Sequence, residues 1–142
     1  MSRFVLDASV ALSWFFEDEE SAYADSVFEA LDSSEAAVPG IWPLKVSNAL
    51  IMAERRGRIS TAKSDEFLKS LTALPIDVYA VSQREIFHQA LALARNHRLT
   101  VYDASYLGLA VQEGLPLATI DDKLHQVASA IGIQVFQPAR LS

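Results

Sequence analysis

Three aspartates stand at positions from which their carboxylates can act together. Asp7 and Asp121 each directly follow a short apolar run, and Asp103 stands at the start of an apolar-periodic segment. Functional groups of open parallel α/β sheets collect at the carboxyl ends of the strands, so Asp7 and Asp121 are predicted to meet there. Three converging carboxylates repel one another unless a cation neutralises them. Oxygen ligands favour Mg²⁺ or Mn²⁺ over zinc, and such ions catalyse phosphodiester hydrolysis by activating water.

Each aspartate taken alone also has a plainer explanation. Asp103 and Asp121 both precede apolar-periodic segments, and aspartate is a favoured N-cap residue of helices. Asp7 is harder to explain in this way, because an acid directly after a buried strand is costly to desolvate. The three residues in this order favour a shared site over three separate structural roles.

The elements that must position these carboxylates alternate between strands and helices. Short apolar runs bounded by turn residues predict strands, and apolar residues at spacings of three and four predict the helices between them. The predicted strands are, in chain order, 3–6, 36–38, 75–78, 117–120 and 133–136. This alternation predicts an α/β domain with a parallel sheet and helices on both of its faces. The 142 residues fit one domain, 1–142.

Composition narrows the class of protein. The formal net charge is −6, and residues 1–36 hold nine acids and one base, so non-specific binding to nucleic-acid backbone is not favoured. The absence of cysteine excludes a disulfide scaffold, a cysteine-based zinc site and thiol catalysis. No apolar run approaches the ~20 residues of a membrane span. We therefore expect a cytoplasmic protein that does not bind membranes.

Four segments together resemble the PIN-domain family, in particular the VapC-like toxins of bacterial toxin–antitoxin pairs. They are Val5-Leu6-Asp7-Ala8-Ser9, the segment 43–50, Thr100-Val101-Tyr102-Asp103-Ala104-Ser105-Tyr106, and Leu117-Ala118-Thr119-Ile120-Asp121. The resemblance covers essentially the whole chain, with the segments in family order. It implies a three-layer α/β/α Rossmann-like domain with a central five-stranded parallel sheet. It also implies cleavage of RNA by a water activated by Mg²⁺ or Mn²⁺.

The resemblance also implies roles for individual residues. Asp7, Asp103 and Asp121 match acidic residues that bind the metal and carry catalysis. Small hydroxyl and amide positions that support the family's site are matched by Ser9, Asn48 and Thr119.

One position departs from the family pattern. The family has a glutamate where this chain has Lys45, in Trp42-Pro43-Leu44-Lys45-Val46. An ammonium among three carboxylates would form salt bridges and displace a metal ion. Alternatively, the head of Lys45 points to solvent while its stem packs. We expect an impaired or inactive chain, either a natural variant or one in which a substitution relieved toxicity; the intact motifs elsewhere favour the second origin.

A basic cluster and an aromatic cluster point to partners. Arg55, Arg56 and Arg58 are candidates for binding RNA phosphates, although arginines at a helix C-terminus also complement the helix dipole. The aromatic run 14–16 cannot all face inward from one helix, which suggests a partner surface. The family resemblance implies an antitoxin whose tail lies across such a groove, and it also implies homodimers.

A second function remains open from the sequence. A non-catalytic PIN-like module that pairs with an antitoxin or another protein would share the same motifs. A phosphotransfer domain of similar architecture is disfavoured, because Asp7-Ala8-Ser9 lacks the second aspartate that aspartate-nucleophile phosphatases need.

Overall fold

The sheet has four parallel strands in the computed structural model, which describes residues 2–138. The strands are β1 (Ser2–Leu6), β2 (Ser34–Pro39), β3 (Ile76–Tyr79) and β4 (Leu117–Ala118). Their spatial order is β3-β2-β1-β4, so β1 and β2 form the centre. Phe4 pairs with Ala36, and Val5 pairs with Leu117 across the other side of β1. The carboxyl ends of all four strands therefore lie along one edge of the sheet.

Helices connect the strands and cover the sheet. The α-helices are α1 (Ala8–Ser13), α2 (Ala22–Ala30), α3 (Ile41–Arg55), α4 (Thr61–Thr72), α5 (Gln83–Glu85), α6 (Leu91–His97), α7 (Val101–Glu113) and α8 (Asp122–Ala130). A 3-10 turn, Glu17–Glu19, precedes α2, and a π-helical segment, Ile86–Ala90, joins α5 to α6. Helix α7 packs against both central strands. The predicted parallel α/β architecture is confirmed.

The number of strands predicted from the family resemblance is wrong for the described residues. Segment 133–136, expected as a fifth strand, forms only one parallel bridge, between Leu117 and Val135. Leu117 N donates to Gln134 O at 2.9 Å, and Phe136 N donates to Leu117 O at 2.8 Å. Strand β4 itself is only two residues long, because the chain leaves the ladder after Ala118 and turns toward α8. Its short edge therefore offers little backbone for a further strand to pair with.

Local sequence signals explain where several helices begin. Side-chain oxygens of Ser21, Ser60, Thr100 and Asp121 accept hydrogen bonds from backbone N–H groups three residues later. Such caps satisfy donors that the first helical turn leaves unpaired. The acidic stretch before Ser21 forms its own 3-10 turn instead of joining α2.

The main core lies between the sheet and the helices. Phe4, Val5 and Leu6 of β1 are fully buried, as expected for a central strand with both faces covered. Tyr106 and Leu107 of α7 are also fully buried against this strand layer. Within residues 2–138, no helix combines the length and apolar character that crossing a bilayer requires.

Candidate active site

A small cavity lies at the carboxyl ends of β1 and β4. It has a volume of about 290 Å³, and it is lined by Asp7, Ala8, Ser9, Leu12, Lys45, Asn48, Ala49, Asp103 and Asp121. We call it the acid cavity. The structure thus brings together the three predicted aspartates, Lys45, and two of the three predicted supporting residues. Thr119, the third, lies behind Asp7.

Asp7 is held by two hydroxyl groups at the floor of the acid cavity. Its side chain leaves the end of β1 and is only 4% exposed. Ser9 Oγ donates to Asp7 Oδ2 at 2.6 Å, and Thr119 Oγ1 donates to the same oxygen at 2.8 Å. Burial raises the pKa of Asp7, while these two hydrogen bonds and the charge of Lys45 act in the opposite direction. The carboxylate is therefore desolvated but fixed in orientation.

The two hydroxyl groups also connect the loops that follow β1 and β4. Ser9 Oγ accepts from Ile120 N at 3.4 Å, and Thr119 Oγ1 accepts from Asp121 N at 3.0 Å. Each hydroxyl thus receives one backbone proton and donates its own proton to Asp7. This arrangement fixes the loop that carries Asp121 relative to the carboxylate of Asp7.

Lys45 points into the acid cavity. Helix α3 buries Trp42 and Val46 against the core, and the adjacent face carries Lys45, Asn48 and Ala49 at spacings of three and four. Lys45 Nζ donates to Asp103 Oδ1 at 3.2 Å, with the two side chains 35% and 29% exposed. Of the two interpretations of Lys45, the ion pair is the one observed.

Asp103 and Asp121 differ in what holds them. Thr100, not Asp103, caps α7, so the Asp103 carboxylate is left to pair with Lys45. Asp121 lines the acid cavity and also caps α8, its Oδ1 accepting from Leu124 N at 2.9 Å. Each of the three aspartates therefore has a different partner.

The acid cavity has the right type of metal ligand, but its side chains are not arranged to hold a metal ion. Carboxylate oxygens are the ligands that hard divalent cations prefer. However, no three His, Cys, Asp or Glu side chains among residues 2–138 lie close enough together to hold one metal ion. The ammonium of Lys45 also takes the Asp103 oxygen that a cation would need. With a lysine at position 45, the residues of the acid cavity do not fit a Mg²⁺ or Mn²⁺ ion.

A tyrosine that the sequence did not single out lies near this site. Tyr106 of α7 is fully buried, and its hydroxyl lies near the backbone of Ala8, the residue after Asp7. Burial raises the pKa of Tyr106, and the negative charge of Asp7 adds to that effect. Its position in an apolar helical stretch resembles that of any core aromatic residue, so no local signal marked it.

The basic cluster lies apart from the acid cavity. Arg55 and Arg56 are exposed at the C-terminal end of α3, whereas Lys45 is near its N-terminus. Arg58 is bound elsewhere: its Nη2 donates to both carboxylate oxygens of Asp18, at 2.9 and 3.1 Å, and its guanidinium lies 5.0 Å from the Phe16 ring centre. Arg55 and Arg56 are thus better placed than Arg58 to meet a ligand.

A larger groove lies beside Arg58, with a volume of about 870 Å³. Its apolar part includes Phe15, Phe16 and Phe67, and the rings of Phe15 and Phe67 are 4.7 Å apart. Charged residues of both signs line it as well: Glu17, Asp18, Arg58, Lys63 and Glu66. We call it the aromatic groove. It contains two of the three adjacent aromatic residues for which the sequence predicts a partner surface.

Comparison with known proteins relates both the sequence and the fold to one family. The PIN domain model matches residues 4–130. Ribonuclease VapC3 of Pyrobaculum aerophilum is 30% identical over 133 residues, which span 91% of this chain and 97% of that protein.

Solved structures share the fold over nearly the whole chain. The crystal structure of PAE2754 from Pyrobaculum aerophilum has a TM-score of 0.68 and 25% identity, covering 89% of this chain and 84% of that one. A toxin-antitoxin complex from Klebsiella pneumoniae has a TM-score of 0.65 and 19% identity, covering 97% and 99%.

Proposed function

This chain belongs to the PIN-domain family, and from that premise we propose that it is a ribonuclease toxin of a toxin–antitoxin system, with its catalysis impaired by Lys45. The observation that carries the proposal is the acid cavity. Asp7, Asp103 and Asp121 line it at the strand ends, in a chain 30% identical to a protein named as a ribonuclease. We further propose that residues 1–142 act as one PIN domain in the cytoplasm.

The residues of the acid cavity have distinct proposed roles. Asp7, Asp103 and Asp121 are the catalytic carboxylates and the ligands of Mg²⁺ or Mn²⁺ once position 45 is acidic. Ser9 and Thr119 hold Asp7 in orientation through the hydrogen bonds to its Oδ2. The Asn48 amide faces the same cavity from α3. With lysine at position 45, the ammonium neutralises Asp103, and the carboxylates of the three aspartates have no shared cation.

Replacing Lys45 tests the proposal directly. Lys45→Glu removes the ammonium and adds a fourth carboxylate, so we expect Mn²⁺ binding by titration calorimetry and cleavage of single-stranded RNA. The matched control, Lys45→Gln, removes the ammonium without adding a ligand, and we expect much weaker Mn²⁺ binding and little cleavage. Equal, robust cleavage by the original chain and Lys45→Glu would contradict an inhibitory role of Lys45.

The second candidate function is a binding module that pairs with another protein without cleaving RNA. The ion pair between Lys45 and Asp103 favours it, because this pair neutralises part of the cavity without a metal. Mn²⁺ binding by Lys45→Glu without any RNA cleavage would support this candidate over the nuclease.

We propose that a cognate antitoxin binds in the aromatic groove. An amphipathic segment can bury apolar side chains against Phe15 and Phe67 while its charges meet the mixed-charge lining of the groove. The Klebsiella structure is described as a toxin-antitoxin complex, which supports this class of partner. Co-expression with the product of a neighbouring small reading frame should yield a complex that Phe67→Asp weakens and Phe28→Asp, on the exposed side of α2, does not.

We also propose a homodimer formed through α3. Leu44, in the first turn of this helix, is a large apolar side chain that is 66% exposed, and it lies at the opposite end of α3 from Arg55 and Arg56. Burying this side chain against a second copy would remove apolar surface from water. Light scattering coupled to size exclusion should report a dimer that Leu44→Lys converts to a monomer. A monomeric original chain would contradict this proposal.

A further inference from the structure

A second cavity lies next to the acid cavity along the same edge of the sheet. Its volume is about 480 Å³, within the range of small-molecule sites. Pro39 and Tyr79, the last residues of β2 and β3, form part of its wall. The π-helical segment and α7 supply the other walls. We call it the apolar cavity.

The two cavities share the first turn of α7. Tyr102 lines the apolar cavity, and the following residue, Asp103, lines the acid cavity. Consecutive side chains of a helix point about 100° apart, so the two cavities lie on neighbouring sides of the first turn of α7, and a ligand that reaches both passes around this turn. Tyr102 is 57% exposed, which leaves its ring open to a ligand.

The lining of the apolar cavity suits a flat, uncharged ligand with polar edges. Tyr79 and Tyr102 provide aromatic rings, and the amides of Gln89 and Gln112 each offer hydrogen-bond donors and an acceptor. Among the described residues that line it, Glu85 is the only charged one, and none is a lysine or arginine. The Arg3 guanidinium lies 5.3 Å from the centre of the Tyr79 ring but is outside the lining, so the lining itself offers a phosphate or carboxylate ligand no cation.

Gly108 allows the Gln89 amide to lie close to α7. A Cβ atom at position 108 would lie 3.3 Å from Gln89 Oε1, so an alanine there would require the amide to shift by a few tenths of an ångström. The amide thus lies at the wall where the π-helical segment meets α7. π-helical segments of this kind are often found at functional sites.

We propose that the apolar cavity binds an unpaired nucleobase of the RNA whose phosphodiester bond enters the acid cavity. This inference rests on the proposed ribonuclease function. The base stacks on Tyr102, and the Gln89 amide binds its polar edge, as in other sites for single-stranded nucleic acid. Tyr102 is then a specificity-determining residue for the nucleotide beside the cleaved bond.

Nucleoside binding tests this inference without any cleavage. Adenosine and uridine, added to the ¹⁵N-labelled original chain, should shift the NMR signals of the Gln89 side-chain amide. Tyr102→Ala should weaken the affinity about tenfold, in line with the loss of one stacked base, whereas Tyr102→Phe keeps the ring and should retain it. Ribose 5-phosphate should leave the amide signals unchanged.

A matched control separates a base site from an interface with a second protein. Phe87 is 58% exposed on the π-helical segment but is not part of the cavity lining, so Phe87→Ala should leave nucleoside affinity unchanged. Equal weakening by Phe87→Ala and Tyr102→Ala would overturn the inference, as would equal shifts with ribose 5-phosphate. If these two variants also changed the oligomeric state, the surface would be assigned to a second copy instead.

The same measurements distinguish this inference from the proposed function. If Lys45→Glu cleaves RNA but neither nucleoside shifts the Gln89 amide signals, the base site is refuted and the ribonuclease function stands. If a nucleoside binds as described but Lys45→Glu cleaves nothing, the ribonuclease function is refuted and the base site stands.

Discussion

At the scale of single residues, the charge of the acid cavity depends on position 45. Three aspartates and one lysine line the cavity, and Lys45 Nζ lies 3.2 Å from Asp103 Oδ1. A glutamate there would change the local charge by two units and leave four carboxylates facing one another. Since both partners are about one-third exposed, water screens the pair, and its contribution to stability is about 1 kcal/mol or less. The effect of Lys45 is thus expected on ligand binding more than on folding.

The hydroxyl of Thr119 is expected to stabilise the folded protein. It is 4% exposed, donates to Asp7 Oδ2 and accepts from Asp121 N. Thr119→Val keeps the shape but leaves the buried carboxylate and the Asp121 N–H without this partner, so we expect a loss of about 2 kcal/mol in the free energy of unfolding. Urea denaturation, monitored by circular dichroism, measures this loss of stability.

Thr119→Ser is the matched control for this prediction. It keeps the hydroxyl and removes one buried methyl group, so the expected loss is only about 0.8 kcal/mol. A Thr119→Val protein as stable as Thr119→Ser would show that the hydroxyl does not stabilise Asp7.

At the scale of elements, α3 connects the acid cavity to the basic cluster. Ten residues separate Lys45 from Arg55 on this helix, a distance of about 15 Å at 1.5 Å per residue. An RNA strand that lies along α3 would therefore place one phosphate at the cavity and later ones near Arg55 and Arg56. The 3-10 turn Glu17–Glu19 is joined to the same end of α3 through the pair between Asp18 and Arg58.

This geometry predicts unequal effects of the three arginines on RNA binding. In the Lys45→Glu background, Arg55→Ala with Arg56→Ala should weaken binding of single-stranded RNA. It should also reduce the slope of log K against log salt by about 1.4, which corresponds to two lost phosphate contacts. Arg58→Ala should change the slope little, because Asp18 already neutralises Arg58. Fluorescence anisotropy at several salt concentrations provides the measurement, and equal slopes for the double variant and its parent would refute the role of Arg55 and Arg56.

At the scale of the whole molecule, the segment after α8 joins distant parts of the chain. Phe136 stacks on Phe4 with ring centres 4.0 Å apart, and Tyr23 Oη donates to Phe136 O at 2.7 Å. Strand β1, helix α2 and the end of the described chain are therefore held together. This contact is made although segment 133–136 does not form a full strand.

The buried hydroxyl of Tyr23 makes the free energy of unfolding depend on pH in the alkaline range. Burial raises the pKa of Tyr23 from 10.0 to about 12, so the folded state keeps its proton where the unfolded state loses it. The stabilisation is complete below pH 10 and is lost as the pH rises toward 12 and above. Tyr23→Phe should be about 1 kcal/mol less stable at pH 8 and should lose less stability between pH 10 and 11.5 than the original chain.

Urea denaturation at pH 8, 10 and 11.5 checks this prediction. Tyr23→Phe should still lose some stability as the pH rises over this range, because burial also raises the pKa of Tyr106. If the two proteins lost the same amount of stability between pH 10 and 11.5, Tyr23 would not titrate in this way.

Much of the architecture follows from residues close together in the sequence. Short apolar runs ending in turn residues predicted the parallel strands, and Ser60 marks the start of α4 because its hydroxyl accepts from an amide three residues later. The carboxyl-end rule predicted that Asp7 and Asp121 meet, since parallel strands share one edge. Such signals act within a few residues or follow from strand direction, so no three-dimensional information is needed to find them.

Only the tertiary structure decided which of several local possibilities is realised. Lys45 and Asp103 are 58 positions apart, so nothing near either residue specified an ion pair over a solvated lysine. The partner of Arg58, 40 positions away, and the reduction of segment 133–136 to one bridge likewise depend on how the elements pack. The sequence by itself determined the fold class and the chemical types at the site. Packing determined the contacts, because their energies depend on distances that sequence neighbours do not set.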